Sequence, residues 1–153
     1  CKDVARILSD GLDEEMTAAE RARLRVHMVI CEACRNVEQQ FGLLRRLVRN
    51  LLENARRYGR TAGATGVTVI VGRVGDDAML QVCDRGPGIP PDLRERIFEP
   101  FYRLPGASER EGGVGLGLAL VKSIAERHGG SVRCEGREGG GACFTVRLPG
   151  ASA

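Results

Sequence analysis

The chain has 153 residues, 42% of them apolar and 28% charged, with six cysteines and a formal net charge of +3. This length suits one ordinary domain plus a small module. The sequence has no run of 18 apolar residues and therefore predicts no membrane-spanning helix. The arginines are scattered, so nucleic acid is not predicted as a partner. The cysteines favour reduced thiols and a cytoplasmic location over a disulfide-stabilised secreted fold.

The first forty residues predict a small helical module with a metal site. Thr17 and Glu20 have the spacing of a helix capping box. Farther on, one histidine and two cysteines follow the pattern H-x3-C-x2-C, and imidazole and thiolate groups are typical ligands of structural zinc, which takes four. The candidate zinc ligands are Cys1, His27, Cys31 and Cys34. The alternative is a module with buried cysteines and an exposed histidine.

The stretch GLDEEMTAAERARLRVHMVICEACR, preceded by Cys1, resembles the zinc-finger module of anti-sigma factors. The resemblance covers residues 1–40. It implies a small helical, zinc-bound module that binds a sigma factor or senses redox state. A protein-binding or sensory role is therefore expected here, rather than catalysis.

Residues 43–58, LLRRLVRNLLENARRY, predict one amphipathic helix. Asn50, Asn54 and Arg57 share a polar ridge at i, i+4 and i+7. Asparagine is a poor helix former, so two on one ridge suggest a use for amide oxygens, which Mg²⁺ accepts. The alternative is an ordinary solvated face. No Gly/Pro/Ser linker precedes this helix, and Gly42 is its one expected soft point.

Two hairpins follow in the β-rich part of the chain. The runs at 67–74 and 78–84 predict the first hairpin, and those at 131–136 and 142–148 predict the second. Cys83, Cys134 and Cys143 lie in these runs and are expected to be packed, unreactive thiols. The glycine-rich GGVGLGL (112–118) opens a further helix, and such an N-terminus is a phosphate site because its backbone N–H groups are unpaired.

Four motifs occur in a fixed order: the asparagine helix, DRGPG at 84–88, FEPF at 98–101 and GGVGLGL. Together they resemble the N, G1, F and G2 boxes of the histidine-kinase catalytic domain, from the ATPase superfamily shared with gyrase and Hsp90. The resemblance covers residues from about 45 to 149. It implies an α+β fold, a two-layer α/β sandwich of the Bergerat type, that binds ATP with Mg²⁺.

The resemblance also implies roles for individual residues. Asp84 would accept a hydrogen bond from the adenine amine, and Asn54 would hold Mg²⁺. Asn50, Asn54 and Arg57 would form the catalytic group. The other residues expected at the nucleotide are Tyr58, Gly86, Gly88, Ile89, Phe101, Arg103, Gly113, Val114, Gly115, Leu116, Gly117 and Leu118. Residues 90–112 would be a lid, anchored by Phe98 and Phe101.

The expected reaction is transfer of the γ-phosphate to a histidine. Hydrolytic members of the superfamily carry a glutamate where this chain has Asn50, and Glu53 is expected to point elsewhere on the helix. Without a positioned base, transfer is favoured over hydrolysis. Neither His27 nor His128 lies in an acceptor motif, so the phosphoacceptor is expected on another domain or chain, with a response regulator downstream.

The predicted organisation is a zinc-finger-like module at 1–40 and a catalytic domain at 41–153. The strand that usually precedes the asparagine helix in this family is not visible, which would leave a sheet edge uncovered. The main interpretation is an ATP:protein-histidine phosphotransferase of a two-component system. The alternatives are an anti-sigma-type regulator with a nucleotide switch or serine-kinase domain, and a zinc-binding module fused to a nucleotide binder without transfer activity.

Overall fold

The computed structural model describes residues 17–59, 66–105 and 113–150. The chain forms two compact units, unit 1 (Cys1–Arg45) and unit 2 (Arg46–Ala153), which we describe separately. Cys1 and the apolar residues from Val4 to Leu12 lie outside the described residues. Among the helices described, none combines the length and the apolar character needed to cross a bilayer.

Unit 1 contains helix α1, Ala18–Ile30, which begins at the predicted capping box. The Thr17 N–H donates to Glu20 Oε2 at 2.9 Å, and the Glu20 N–H donates to Thr17 Oγ1 at 3.3 Å. Hydrogen bonds from the side chain and backbone of Thr17 lower the pKa of Glu20. The capping box is therefore confirmed, and it satisfies N–H groups that a helix end leaves unpaired.

Helix α2, Glu32–Tyr58, begins in unit 1 and ends in unit 2. It starts eleven residues before the predicted position 43 and continues through Gly42 without a break. Since a β-carbon on Gly42 would meet nothing within 4 Å, no close packing requires a glycine there. The helix turns an apolar stripe inward in unit 2, where Leu47, Leu51 and Ala55 are buried.

Unit 2 contains both predicted hairpins, joined in one antiparallel sheet of order β1-β2-β4-β3. The strands are β1 (Thr68–Val74), β2 (Asp77–Cys83), β3 (Ser131–Gly136) and β4 (Ala142–Leu148). Helix α3, Gly117–Arg127, precedes β3 and is followed by Gly129 with a φ of +71°, as its glycines predict. Two short 3₁₀ turns, Pro91–Leu93 and Arg96–Phe98, follow β2.

The core of unit 2 lies between helices and one face of the sheet. Val82 is paired with Phe144, and Phe144 with Cys134, so all three share that face. The fully buried side chains include Leu47, Leu51, Val82, Val121, Phe144 and Val146. This two-layer α+β architecture confirms the predicted fold class.

Strand β1 is the edge of the sheet, and all seven of its residues are exposed. Within the described ranges, no strand precedes α2 or pairs with the outer side of β1. Val71 is 77% exposed although it pairs with Leu80 on the core face. The expectation of an uncovered edge is confirmed for this part of the chain.

Cys83 and Cys143 form a disulfide between β2 and β4, which corrects the expectation of separate thiols. The Asp84 N–H donates to the Ala142 carbonyl at 2.9 Å, so the Asp84–Ala142 pair is hydrogen-bonded. The preceding pair, Cys83 and Cys143, is then the non-hydrogen-bonded kind, in which facing side chains are closest. Cys134 is a buried free thiol as expected, and burial raises its pKa to about 11.

Candidate functional site

Unit 2 contains a cavity of about 600 Å³ beside α2, the loop after β2 and the segment that leads into α3. The structure brings together at this cavity most of the residues that the sequence predicts at a nucleotide. These are Asn50, Asn54, Arg57, Tyr58, Asp84, Gly88, Ile89, Arg103, Gly113, Val114, Gly115, Leu116, Gly117 and Leu118. Two predicted residues, Gly86 and Phe101, do not line it.

Asp84 directly follows β2 and is the buried carboxylate of the cavity wall, with 4% of its surface exposed. Its Oδ1 accepts the N–H of Gly86 at 2.9 Å and the N–H of Ala142 at 3.1 Å. Backbone donors from two segments therefore fix the orientation of the carboxylate. They leave Oδ2 as the oxygen available to a donor in the cavity.

Two glycines allow other segments to approach Asp84 closely. A β-carbon on Gly86 would overlap the carbonyl oxygen of Tyr58, at the end of α2. Gly141 has a φ of +108°, and a β-carbon there would overlap the carbonyl oxygen of Asp84. Gly86 thus supports the carboxylate and does not line the cavity, and its contact with the nucleotide stays a prediction.

The polar ridge of α2 lies next to the glycine-rich start of α3. A β-carbon on Gly117 would lie 3.7 Å from Asn50 Oδ1, and one on Gly113 would lie 3.0 Å from Arg57 Nη1. Leu116 caps α3 without a side-chain hydrogen bond, so the first N–H groups of this helix receive no acceptor from their cap residue. An amide, a guanidinium and a helix N-terminus therefore meet at one end of the cavity.

In unit 1, His27, Cys31 and Cys34 form a cluster whose ligand atoms all lie within 4.8 Å of one another. His27 Nε2 is 3.2 Å from Cys34 Sγ. Hydrogen bonding to the Cys34 backbone lowers the pKa of the Cys31 thiol, whereas burial raises the pKa of Cys34. Tetrahedral zinc with Zn–S bonds of about 2.3 Å places its ligand atoms about 3.8 Å apart, so this donor set fits zinc.

Two family models match the sequence. The model described as "Histidine kinase-, DNA gyrase B-, and HSP90-like ATPase" matches residues 40–152, and a zinc-finger model matches residues 1–35. The chain belongs to the histidine kinase-, gyrase B- and HSP90-like ATPase family. Both predicted resemblances are therefore confirmed, in the predicted order along the chain.

The relatives of this chain include sensor proteins. It is 47% identical over 108 residues to the sensor protein RstB of Escherichia coli, covering 70% of this chain and 24% of RstB. It is 35% identical over 148 residues to the sensor-like histidine kinase SenX3 of Mycolicibacterium smegmatis, covering 96% of this chain and 38% of SenX3. The chain thus spans well under half the length of these relatives.

A solved structure of the mycobacterial sensor histidine kinase MprB superposes on this chain with a TM-score of 0.64 at 34% identity. The match covers 73% of this chain and 75% of that one. The ATP-binding domain of PrrB from Mycobacterium tuberculosis superposes with a TM-score of 0.56 at 34% identity, over 72% of this chain and 69% of that one.

The two phenylalanines of the F motif differ in burial. Phe98 is buried and packs edge-on against Phe144, with ring centroids 6.4 Å apart, as expected of an anchor. Phe101 is 67% exposed and does not line the cavity, so its prediction as a buried anchor was wrong, and its contact with the nucleotide stays a prediction. Its φ of +65° turns the side chain outward, while its N–H donates to the Gly115 carbonyl at 2.9 Å.

Glu53 also differs from its prediction, because it lines the cavity of unit 2. It stands three residues after Asn50, and residues at i and i+3 share one side of a helix. Its Oε1 lies 3.7 Å from Arg49 Nε, on the half-exposed rim. The step of about 100° between Glu53 and Asn54 therefore does not turn Glu53 away from the cavity.

Sequence reasoning missed several apolar residues of the cavity. They are Pro87, Ile97, Tyr102, Leu104, Pro105, Ala142 and Phe144. Tyr102 could have been found as the neighbour of the F motif, and its ring lies 4.8 Å from the Arg96 guanidinium carbon. Phe144 gave no such signal, because only the pairing of β4 beside β2 brings it to the site.

Proposed function

We propose that unit 2 binds Mg²⁺-ATP in this cavity and is the catalytic domain of a sensor histidine kinase. It transfers the γ-phosphate to a histidine on another domain or chain, from which a response regulator takes it. The observation that carries the proposal is the buried Asp84 carboxylate, held by two backbone N–H groups at the cavity wall. We place this activity in the cytoplasm. We also propose that the boundary between the zinc-finger-like module and the catalytic domain lies near residues 40 and 41.

Asp84 accounts for selection of adenine. An ionised carboxylate can only accept hydrogen bonds, and its available Oδ2 suits the exocyclic amine of adenine. Guanine would present a carbonyl oxygen to the same position, which leaves both acceptors unpaired and repelling each other. Apolar residues such as Ile89 and Leu118 in the wall contact the faces of the base.

The other end of the cavity suits the phosphates. The N-terminus of α3 presents unpaired N–H groups and the positive end of its dipole, and Arg57 and Arg103 add positive charge. The Asn54 amide oxygen would hold Mg²⁺, which supplies charge neutralisation when it is bound. Glu53 is the carboxylate in the cavity that could act as a base on water, but it pairs with Arg49 on the rim. We therefore propose phosphoryl transfer rather than hydrolysis as the main reaction.

The cluster in unit 1 supports a second role. We propose that His27, Cys31 and Cys34 bind zinc, with Cys1 as the fourth ligand. This cluster and the zinc-finger match favour a protein-binding module of the anti-sigma type, whose partner would be a sigma factor. In that case the nucleotide site serves as a switch or as a serine kinase.

The nucleotide site is tested by binding of a fluorescent ATP analogue with and without Mg²⁺. We expect Asp84→Asn to weaken binding about 100-fold, because a hydrogen bond to a charged group contributes about 1.5–3 kcal/mol. Asn54→Ala should lose the dependence on Mg²⁺. Asp92→Asn and Asn36→Ala are matched controls, since both residues are exposed and outside the cavity, and both should bind normally.

The transfer reaction is tested by supplying labelled ATP and a separate helical hairpin that carries a phosphoacceptor histidine. The proposal expects acid-labile phosphate on the hairpin, which Asp84→Asn abolishes and Glu53→Gln retains. Acid-stable phosphate on a partner protein would instead support the serine-kinase role. Tight ATP binding with no transfer to any acceptor would overturn the kinase and leave a nucleotide-binding module.

A further inference from the structure

The Cys83–Cys143 disulfide lies one residue away from the hydrogen bonds that orient Asp84. Cys83 precedes Asp84 on β2, and Cys143 follows Ala142 on β4. Ala142 gives its N–H to Asp84 Oδ1 at 3.1 Å and accepts the Asp84 N–H at 2.9 Å. The covalent bond therefore joins the two strands at the last residue pair before the carboxylate.

We infer that Cys83 and Cys143 form a thiol–disulfide exchange site that regulates nucleotide binding, with the disulfide form binding more tightly. This inference rests on the proposed ATP site. In the cytoplasm proposed for this domain disulfides are uncommon, and those that occur there are usually catalytic or redox-sensing. The position of the disulfide beside Asp84 supports a regulatory role. A disulfide that only stabilised the sheet could join β2 and β4 at any non-hydrogen-bonded pair of residues.

The two sulfurs differ in access. Cys83 is buried, with 6% of its surface exposed, whereas Cys143 is half-buried. We therefore expect a reductant to attack at Cys143, the more exposed of the two residues, with Cys83 as the leaving group. Cys134 does not compete in the exchange, because it is buried on the opposite face of the sheet from Cys143 and burial keeps it protonated.

The exchange needs a dithiol as the co-reactant. One thiolate of the dithiol attacks Cys143 Sγ, the bond between the two cysteines breaks, and Cys83 leaves as a thiolate that takes a proton from solvent. The second thiolate of the dithiol then attacks the mixed disulfide and releases Cys143 as a thiol. Two electrons pass to the protein, and the dithiol leaves as its own disulfide.

Reduction should loosen Asp84 without unfolding the sheet. The Asp84–Ala142 hydrogen bonds remain, and Arg137 Nη1 still donates to the Asp84 carbonyl at 3.2 Å. The carboxylate is then held by hydrogen bonds alone, so ATP must also fix its position on binding. We expect affinity for ATP to fall about fivefold, the lower end of ordinary coupling between two sites.

The experiment measures the Kd of Mg²⁺-ATP for the full chain, oxidised and after reduction with dithiothreitol. The inference predicts weaker binding by the reduced chain. The double variant Cys83→Ser/Cys143→Ser should bind like the reduced chain and show no response, whereas Cys134→Ala should respond like the parent chain. A response that persists in the double variant would assign it to the unit 1 cysteines and overturn the inference.

A second readout follows from reciprocity, since ATP must stabilise the disulfide by the same factor. In a dithiothreitol redox buffer, saturating ATP should lower the reduction potential of the Cys83–Cys143 disulfide by about 20 mV. For a two-electron couple this shift corresponds to a fivefold change in the equilibrium constant for reduction. Equal, tight ATP binding in both redox states overturns this inference and leaves the proposed function standing. Absence of ATP binding in both states overturns the proposed function itself, and the regulation with it.

Discussion

The two units of this chain differ in what is available to hold each fold together. Unit 2 has a continuous core, in which Leu51, Val82 and Phe144 have no exposed surface. In unit 1, α1 has no buried residue, and Val29 and Ile30 are 75% and 78% exposed. Among the unit 1 side chains that the structure describes, Cys34 is the buried one.

This difference indicates two sources of stability in one chain. Unit 2 is stabilised by burial of apolar surface, at roughly 25 cal/mol per Å². A small helical module whose described side chains bury so little surface needs an additional stabiliser, such as a bound metal. The proposed zinc site would stabilise unit 1 in this way. Three predictions test whether unit 1 depends on metal and unit 2 on its apolar core.

The largest effect is expected from metal removal. A chelator should unfold α1, because structural zinc contributes on the order of 10 kcal/mol to the folding of small domains. The amide NMR signals of Ala18–Ile30 should collapse, while those of β2 and β4 stay dispersed. His27→Gln should reproduce the loss, and the matched change at the chain's other histidine, His128→Gln, should retain zinc. Dispersed α1 signals in the absence of metal would show that unit 1 folds without zinc and would contradict this prediction.

A smaller effect is expected from truncation in the core of unit 2. Leu51→Ala should lower the free energy of unfolding by about 3 kcal/mol, through lost burial and the cavity left behind. Its neighbour Leu52 is 38% exposed, so Leu52→Ala should cost about 0.5 kcal/mol. Denaturant melts of both variants, followed by a β-sheet signal, measure the difference. Equal losses would mean that the helix packs differently.

The smallest effect is expected at the capping box of unit 1. Thr17→Ala should speed amide exchange at Glu20 about fivefold, from loss of about 1 kcal/mol of N-cap stabilisation. Hydrogen bonds that the Glu20 carboxylate accepts from Thr17 lower the pKa of Glu20, so the contribution of these bonds is present above the ordinary glutamate pKa and is lost as pH falls through the lowered value. Exchange measured against pH in Glu20→Gln, which cannot titrate, is the control.

The sequence predicts the local features of this molecule well. Turn glycines and β-rich runs predict both hairpins, and the capping box predicts the start of α1. The motifs predict most of the residues that line the cavity, because each motif is a short segment whose spacing identifies it.

Features that depend on pairing over long distances are not visible in the sequence. The Cys83–Cys143 disulfide joins residues 60 positions apart, and only the register of β2 against β4 brings them together. The same register brings Phe144 to the cavity. The outward turn of Phe101 depends on a left-handed backbone conformation that is uncommon for a phenylalanine and that no neighbouring residue indicates.

The most direct test of the account compares the binding of ATP and GTP to the intact chain by calorimetry in the presence of Mg²⁺. A carboxylate fixed by the Gly86 and Ala142 N–H groups predicts binding of ATP and at least about 100-fold weaker binding of GTP, because the guanine carbonyl would face an acceptor. Asp84→Asn should remove most of that preference. Equal affinity for the two nucleotides, or binding of neither by a folded chain, would contradict the assignment of the cavity as an adenine site.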